Sequence, residues 1–136
     1  PSEWGCYGTS ISGADDTAIG TGNQNTFDIE AGCNTSGTAA DICANLTLNG
    51  YSDWFLPSKD ELDALYNYWA FTGDKRLNYG RKPTWTSSEA SDSFAWYQLF
   101  QDGTQFTDAN GIIRGLKKNK NYERNHLSKL SKSFQS

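Results

Sequence analysis

Apolar residues recur at helical spacing in only one long stretch of the chain. After Lys59, Leu62, Leu65, Tyr66 and Trp69 stand at i, i+3, i+4 and i+7, while Asp60, Asp63 and Asn67 fall elsewhere. The spacing predicts a core-facing helix over roughly residues 59–72. Ser58 precedes it at the N-cap position and Glu61 follows three residues later, so each side chain can bond an otherwise orphaned amide of the first turn. Gly73 supplies the stop. Just upstream, Tyr51 to Leu56 reads as a short aromatic strand ended by Pro57. A second helix is predicted after Thr38, with Asp41 three residues on. Ala39, Ile42, Cys43 and Leu46 form its apolar face, and Asn49–Gly50 its end.

Beyond residue 83 the pattern changes to one that suits a pleated surface. Thr84 to Ser88 and Phe94 to Phe100 read as strands, and Asp102–Gly103 predicts a two-residue hairpin to Thr104–Thr107. Asn110–Gly111 offers another turn, Ile112 to Leu116 a further short strand, and Lys117 to Asn121 an exposed basic loop. Residues 1–36, rich in Gly, Thr, Ser, Asn and Asp, read as loops with at most short strands. Within them Gly20-Thr-Gly22-Asn lacks the spacing and the lysine of a phosphate-binding loop, which argues against a nucleotide site. The expected fold class is α+β, with two helices packed on a twisted antiparallel sheet and long irregular loops. The length of 136 residues suits a single domain over 1–122, followed by a polar tail over 123–136.

Composition alters this picture in two respects. Val and Met are absent, so the five Trp, seven Tyr and seven Phe must supply much of the core. Three cysteines permit at most one internal pair. Cys43, on the apolar side of a helix, is expected to be a buried thiol. Cys6 and Cys33 lie in loop sequence, where a disulfide would restrain an irregular region, and are expected to be paired. No apolar run approaches the ~20 residues of a membrane span, and no signal pattern opens the chain. A chain starting at Pro1, with Trp4-Gly5-Cys6 close behind, reads as part of a longer one.

Charge carries the functional information. The net charge of −4 divides into −9 over residues 1–63, whose only base is Lys59, and +5 over residues 64–136. Such asymmetry points to an anionic partner for the second half. The candidate residues are Lys75, Arg76, Arg81 and Lys82 after the long helix, with Arg114, Lys117, Lys118, Lys120 and Arg124 near the far end. Arginine engages sulfate bidentately and lysine serves as a mobile point charge. The acidic total and the lack of a docking motif argue against nucleic acid.

Catalysis is not expected. His126 is the only histidine and lies in the polar tail, and no two carboxylates form an acid–base pair by spacing. One histidine and scattered cysteines argue against a zinc site by the usual ligand patterns. Calcium is the one cofactor for which the turns hold oxygen ligands, at Asp102, Asp108 and Asn110 and at Asp15 and Asp16, but turn-forming Asp and Asn need no metal. No cofactor is therefore expected. Trp85, Trp96 and Tyr97 are candidates for stacking on sugar faces, although the shortage of aliphatic residues favours a core role for the two tryptophans.

The segments GYSDWFLPSKDEL, WTSSE and FAWYQLFQDGTQF, with WGCYGTSISG, AIGTGNQNT and AADIC before them, resemble the Lcl C-terminal domain family over roughly Trp4 to Phe106. That family is named for the terminal domain of a Legionella collagen-like adhesin. The resemblance implies a C-type-lectin-like fold shared with formylglycine-generating enzymes. It also implies a trimeric, secreted or surface-displayed adhesin domain that binds sulfated glycosaminoglycans. The chain departs from the family pattern at both ends. A GG-containing strand and an HG-containing turn are missing before Trp4, and YERNH at Tyr122–His126 stands where an Arg-rich strand is usual, leaving a sheet edge for a trimer interface to cover. The alternative expectation is a protein-binding or self-association tip on a trimeric stalk or fibre.

Overall fold

The computed structural model describes residues 2–73 and 83–109. Three helices, α1 (Gly22–Gly32), α2 (Ala39–Ala44) and α3 (Lys59–Thr72), precede three strands, β1 (Pro83–Glu89), β2 (Phe94–Leu99) and β3 (Gln105–Ala109). The strands form one antiparallel sheet in the order β1-β2-β3. The class is α+β, with three helices among the described residues in place of the two expected.

Helix α1 corrects the reading of residues 1–36 as loop. Its buried positions are Gly22, Asn25, Thr26 and Ile29, a full i, i+3, i+4, i+7 stripe in which two members are polar. Those two bury because their hydrogen bonds are satisfied. Asn25 Nδ2 donates to Asp16 O at 2.7 Å, while Thr26 Oγ1 donates to Gly22 O at 2.8 Å and accepts from Leu56 N at 3.0 Å. The last of these also explains why Tyr51 to Leu56 is no strand. Tyr51 forms only an isolated bridge with Leu48, and the chain beyond it is held by side chains and by its neighbours' backbone, with Ser87 N donating to Pro57 O at 2.7 Å.

Helix α3 has the predicted ends. Ser58 Oγ accepts from Glu61 N, the Glu61 carboxylate accepts from Ser58 N, and Gly73 closes the helix in the left-handed conformation at φ 62°. Helix α2 is capped by Thr38 as expected, but it ends at Ala44, before Leu46. Asn45 stops it by turning its amide back onto Asp41 O at 3.0 Å and Asp41 Oδ1 at 2.8 Å. Asn49–Gly50 instead makes a separate two-residue turn, with φ of 54° and 81°.

The core gathers Trp4, Ile11, Ile29, Cys43, Leu56, Leu62, Leu65, Trp85, Ala95 and Phe100. Trp4 is fully buried, and its Nε1 donates to Thr86 O at 2.6 Å across the domain. The β2–β3 connection is wider than the two-residue turn expected at Asp102–Gly103. Leu99 N donates to Thr104 O at 2.9 Å, and Gly103 N to Leu99 O at 2.8 Å. The wider turn lets Phe100 leave the sheet edge and bury its ring against Tyr66 and Trp69 of α3, at centroid distances of 5.6 and 6.1 Å. Cys6 and Cys33 are joined by a disulfide that ties the N-terminal segment to the end of α1.

Candidate functional site

The described residues hold fourteen carboxylates and a single base, Lys59. Even that ammonium is engaged, with Nζ 4.7 Å from the centroid of the half-buried Trp96 ring. The nine candidate anion-binding residues, Lys75, Arg76, Arg81, Lys82, Arg114, Lys117, Lys118, Lys120 and Arg124, lie outside the described residues. So do His126, Asn110, the Ile112–Leu116 strand and the proposed boundary between residues 122 and 123. Their points of attachment are described. Pro83 begins β1 opposite Leu99, at the end of the sheet where Gln98 meets Gln105. Ala109 ends β3 opposite Phe94, at the other end, about 15 Å away for a strand of this length. The two basic segments therefore join an acidic body at opposite ends of its sheet.

One face of the sheet carries an aromatic row across all three strands. Trp85 meets Tyr97 edge to face at 6.0 Å, and Tyr97 stacks on Phe106 at 5.8 Å. Trp85 is buried and its Nε1 donates to Ser2 O at 3.1 Å, which makes it a core residue. Tyr97 and Trp96 are half-buried. Burial, with Asp108 nearby, raises the Tyr97 phenol above its ordinary value.

The carboxylates do structural work that composition conceals. Glu61 is buried, and its Oε1 accepts from Ser58 N at 2.8 Å and Gly22 N at 2.9 Å, with Gly20 N at 3.4 Å from Oε2. Helix α1 has no side-chain cap of its own and no acid in its first turn, so one carboxylate serves the positive ends of two helices. The capping-box spacing indicated the α3 contact; nothing in the spacing indicated the one across 39 residues. Among the described residues no group of three or more His, Cys, Asp or Glu is placed to hold a metal ion. Two of the candidate turn carboxylates, Asp16 and Asp102, have backbone partners. Asp16 Oδ1 accepts from Ala18 N at 3.0 Å, and Asp102 Oδ1 accepts from Thr104 N at 2.9 Å, a bond that lowers the Asp102 pKa. Cys43 is a free, fully buried thiol. Burial first, and Glu30 second, push its pKa far up, so it is not a nucleophile at neutral pH.

Glu89 gives a pH signature. Both its oxygens accept from Ile11 N, at 3.1 and 3.0 Å. Burial nevertheless raises its pKa, with Asp15 and Asp92 adding to the rise and the Ile11 bond opposing it. A raised folded-state pKa means that the folded chain takes up this proton more readily than the unfolded one. The resulting stabilisation is complete below the ordinary value of 4.5 and is lost as pH rises through the folded pKa. On acidification from neutrality toward that value, the wild type should gain unfolding free energy relative to Glu89→Gln, as read from urea midpoints. Parallel pH profiles for the two proteins would contradict this. Glu30 is shifted in the same sense by burial and then by Asp41, and that contribution is common to both proteins.

No helix among the described residues is long and apolar enough to cross a membrane. No protein-family model, curated protein or solved structure matches the chain.

Proposed function

We propose that the chain is a noncatalytic, surface-displayed or secreted adhesin domain that binds sulfated glycosaminoglycans or related anionic polysaccharides. The observation that carries this reading is the segregation of charge. Eleven of the twelve bases lie outside a described body whose own charge is −13. The described residues carry fourteen of the sixteen acids, so a polyanion is drawn to the basic segments rather than to the rest of the chain. The resemblance of the GYSDWFLPSKDEL, WTSSE and FAWYQLFQDGTQF segments to the Lcl C-terminal domain family supports the same reading, and with it a homotrimer. Exposed ion pairs are individually worth about 0.2–1 kcal/mol and are screened by salt. Three copies on one trimer convert such weak contacts into useful avidity, because later contacts become intramolecular.

Reversing Lys117, Lys118 and Lys120 to Glu is expected to weaken heparin binding by about 10-fold or more, three lost pairs and three new repulsions at that scale. Elution from a heparin column at lower salt would show it. Unchanged retention would remove these lysines from the site. A second reading, a self-association or protein-binding tip, is favoured by Phe71, which stands 93% exposed beside a half-exposed Tyr68 at the end of α3. Under it the lysines contribute only solubility, heparin is not retained, and light scattering shows association that Phe71→Ser abolishes.

A further inference from the structure

The two sulfurs of the Cys6–Cys33 disulfide stand in unlike surroundings. Cys33 is 5% exposed, belongs to the core cluster, and caps the carbonyl end of α1 with its backbone N–H donating to Ile29 O at 2.9 Å. Cys6 is half-buried at the rim of that cluster and is followed by the exposed Tyr7. Its Sγ lies 3.4 Å from Thr35 Oγ1. A disulfide sulfur carries no proton, so the hydroxyl of this exposed threonine is the donor. Solvent therefore reaches the bond from the Cys6 side.

The segment carrying Cys6 is also anchored independently of the disulfide. On one side Trp4 is fully buried, with its Nε1 bonded to Thr86 O, and Glu3 O accepts from Ala39 N at 2.8 Å. On the other, Gly8 N donates to Asp92 O at 2.9 Å. These partners belong to β1, to α2 and to the turn between β1 and β2. Cys6 is thus held from both flanks, two residues away on either side.

We infer that Cys6 is a one-sided thiol-exchange site, at which a small thiol such as glutathione enters and from which Cys33 displaces it again. In the forward step the small thiolate attacks Cys6 Sγ and the S–S bond breaks. Its electron pair leaves with Cys33 Sγ, which takes a proton from water. The products are a mixed disulfide on Cys6 and a thiol on Cys33. In the return step Cys33 gives up its proton and attacks Cys6 Sγ, and the small thiolate leaves. Departure of Cys33 places negative charge in buried surroundings at the carbonyl end of a helix, where an anion is disfavoured, so entry is slow. Return is intramolecular, because the flanking anchors keep the two sulfurs together. The third cysteine does not compete: Cys43 is fully buried, and burial holds its thiol protonated. The fold thus accepts a small thiol at one surface sulfur and expels it once free thiol is removed.

The test incubates the full chain with excess reduced glutathione in neutral buffer without denaturant. Free thiols are then blocked with N-ethylmaleimide and the products located by peptide mass mapping. Glutathione is expected on Cys6 and the blocking group on Cys33, with the opposite arrangement at least about 10-fold rarer. Removing glutathione before blocking is expected to restore the closed disulfide without added oxidant, at a rate independent of protein concentration. Adducts shared equally, adducts mainly on Cys33, or an adduct that persists after glutathione is removed would overturn the inference. Two single variants read the same asymmetry where reclosure outruns blocking. Cys33→Ser leaves the Cys6 thiol and Cys6→Ser leaves the Cys33 thiol, and both lack the disulfide, so its loss affects them alike. With dithiobis(nitrobenzoate), Cys6 in the first is expected to react at least about 10-fold faster than Cys33 in the second. Equal rates would refute one-sided access. Neither experiment contains heparin, so failure here leaves the glycan reading to its own test.

Discussion

Gly22→Ala is expected to destabilise the domain by about 2–4 kcal/mol, although alanine is the better helix former by about 1 kcal/mol. A Cβ at this first residue of α1 would overlap Glu61 Oε1 and stand 2.8 Å from Ser58 N and 2.9 Å from Leu56 O. The carboxylate cannot swing aside cheaply, because it is buried and holds the amides of Gly22 and Ser58. Moving it strands those donors, at about 1–3 kcal/mol for each that is left without an acceptor. Glu61→Ala should therefore cost more, about 3–5 kcal/mol, since it opens the capping box of α3 and uncaps α1 in one step. In the double variant the overlap with Glu61 disappears and only the backbone contacts remain, so the alanine at 22 should cost less than in the wild-type background. Urea unfolding of the four proteins measures this. Additive losses would mean that Gly22 and Glu61 do not act as one unit.

Cys6→Ser with Cys33→Ser is expected to cost about 3–4 kcal/mol. The disulfide closes a loop with a sequence separation of 27, and that magnitude follows from the entropy it removes from the unfolded chain. The part of that loop before α1 has no helix or strand of its own to replace it. Between Cys6 and α1 the chain is anchored by separate contacts, such as Gly8 N to Asp92 O at 2.9 Å, Ile11 N to Glu89, and Asp60 N to Thr17 O at 3.0 Å. Without the disulfide these must be organised from a freer chain. The loss should appear as a lower urea midpoint, and the same shift should follow from reducing the wild type. A midpoint that is insensitive to reductant would show that the loop is held by its hydrogen bonds alone.

The parts of the fold that were legible in the sequence are those in which local chemistry and tertiary packing agree. Ser58 and Glu61 form their capping box, Leu62 and Leu65 are buried, Gly73 is left-handed, and β1, β2 and β3 lie where Trp, Tyr, Phe and Thr are concentrated. Helix α1 was not legible because its inward stripe is built from Gly22, Asn25 and Thr26, whose burial depends on acceptors and donors supplied by Asp16, Ser87, Leu56 and Glu61. Apolar periodicity does not register such a stripe. The buried run Thr84-Trp85-Thr86-Ser87-Ser88-Glu89 is a related case. Its hydroxyls accept from Asn25 Nδ2 and Lys59 N and donate to Trp96 O and Asp16 O, so a polar strand fills the centre of the domain. For the candidate site, the sequence supplied the identity and grouping of the bases. The structure contributed the acidity of the body and the opposite ends of the sheet at which the two basic groups attach. Long-range position is what a linear charge pattern cannot contain.

The central claim is that the bases gathered outside the acidic body bind a sulfated polymer. Its most direct test is calorimetric titration of the full chain with heparin and with fully desulfated heparin at low ionic strength. Heparin is expected to bind, with affinity falling as salt shortens the screening length toward 8 Å at about 0.15 M, and the desulfated polymer is expected not to bind. Absence of heparin binding at low salt, or equal binding of both polymers, would contradict it.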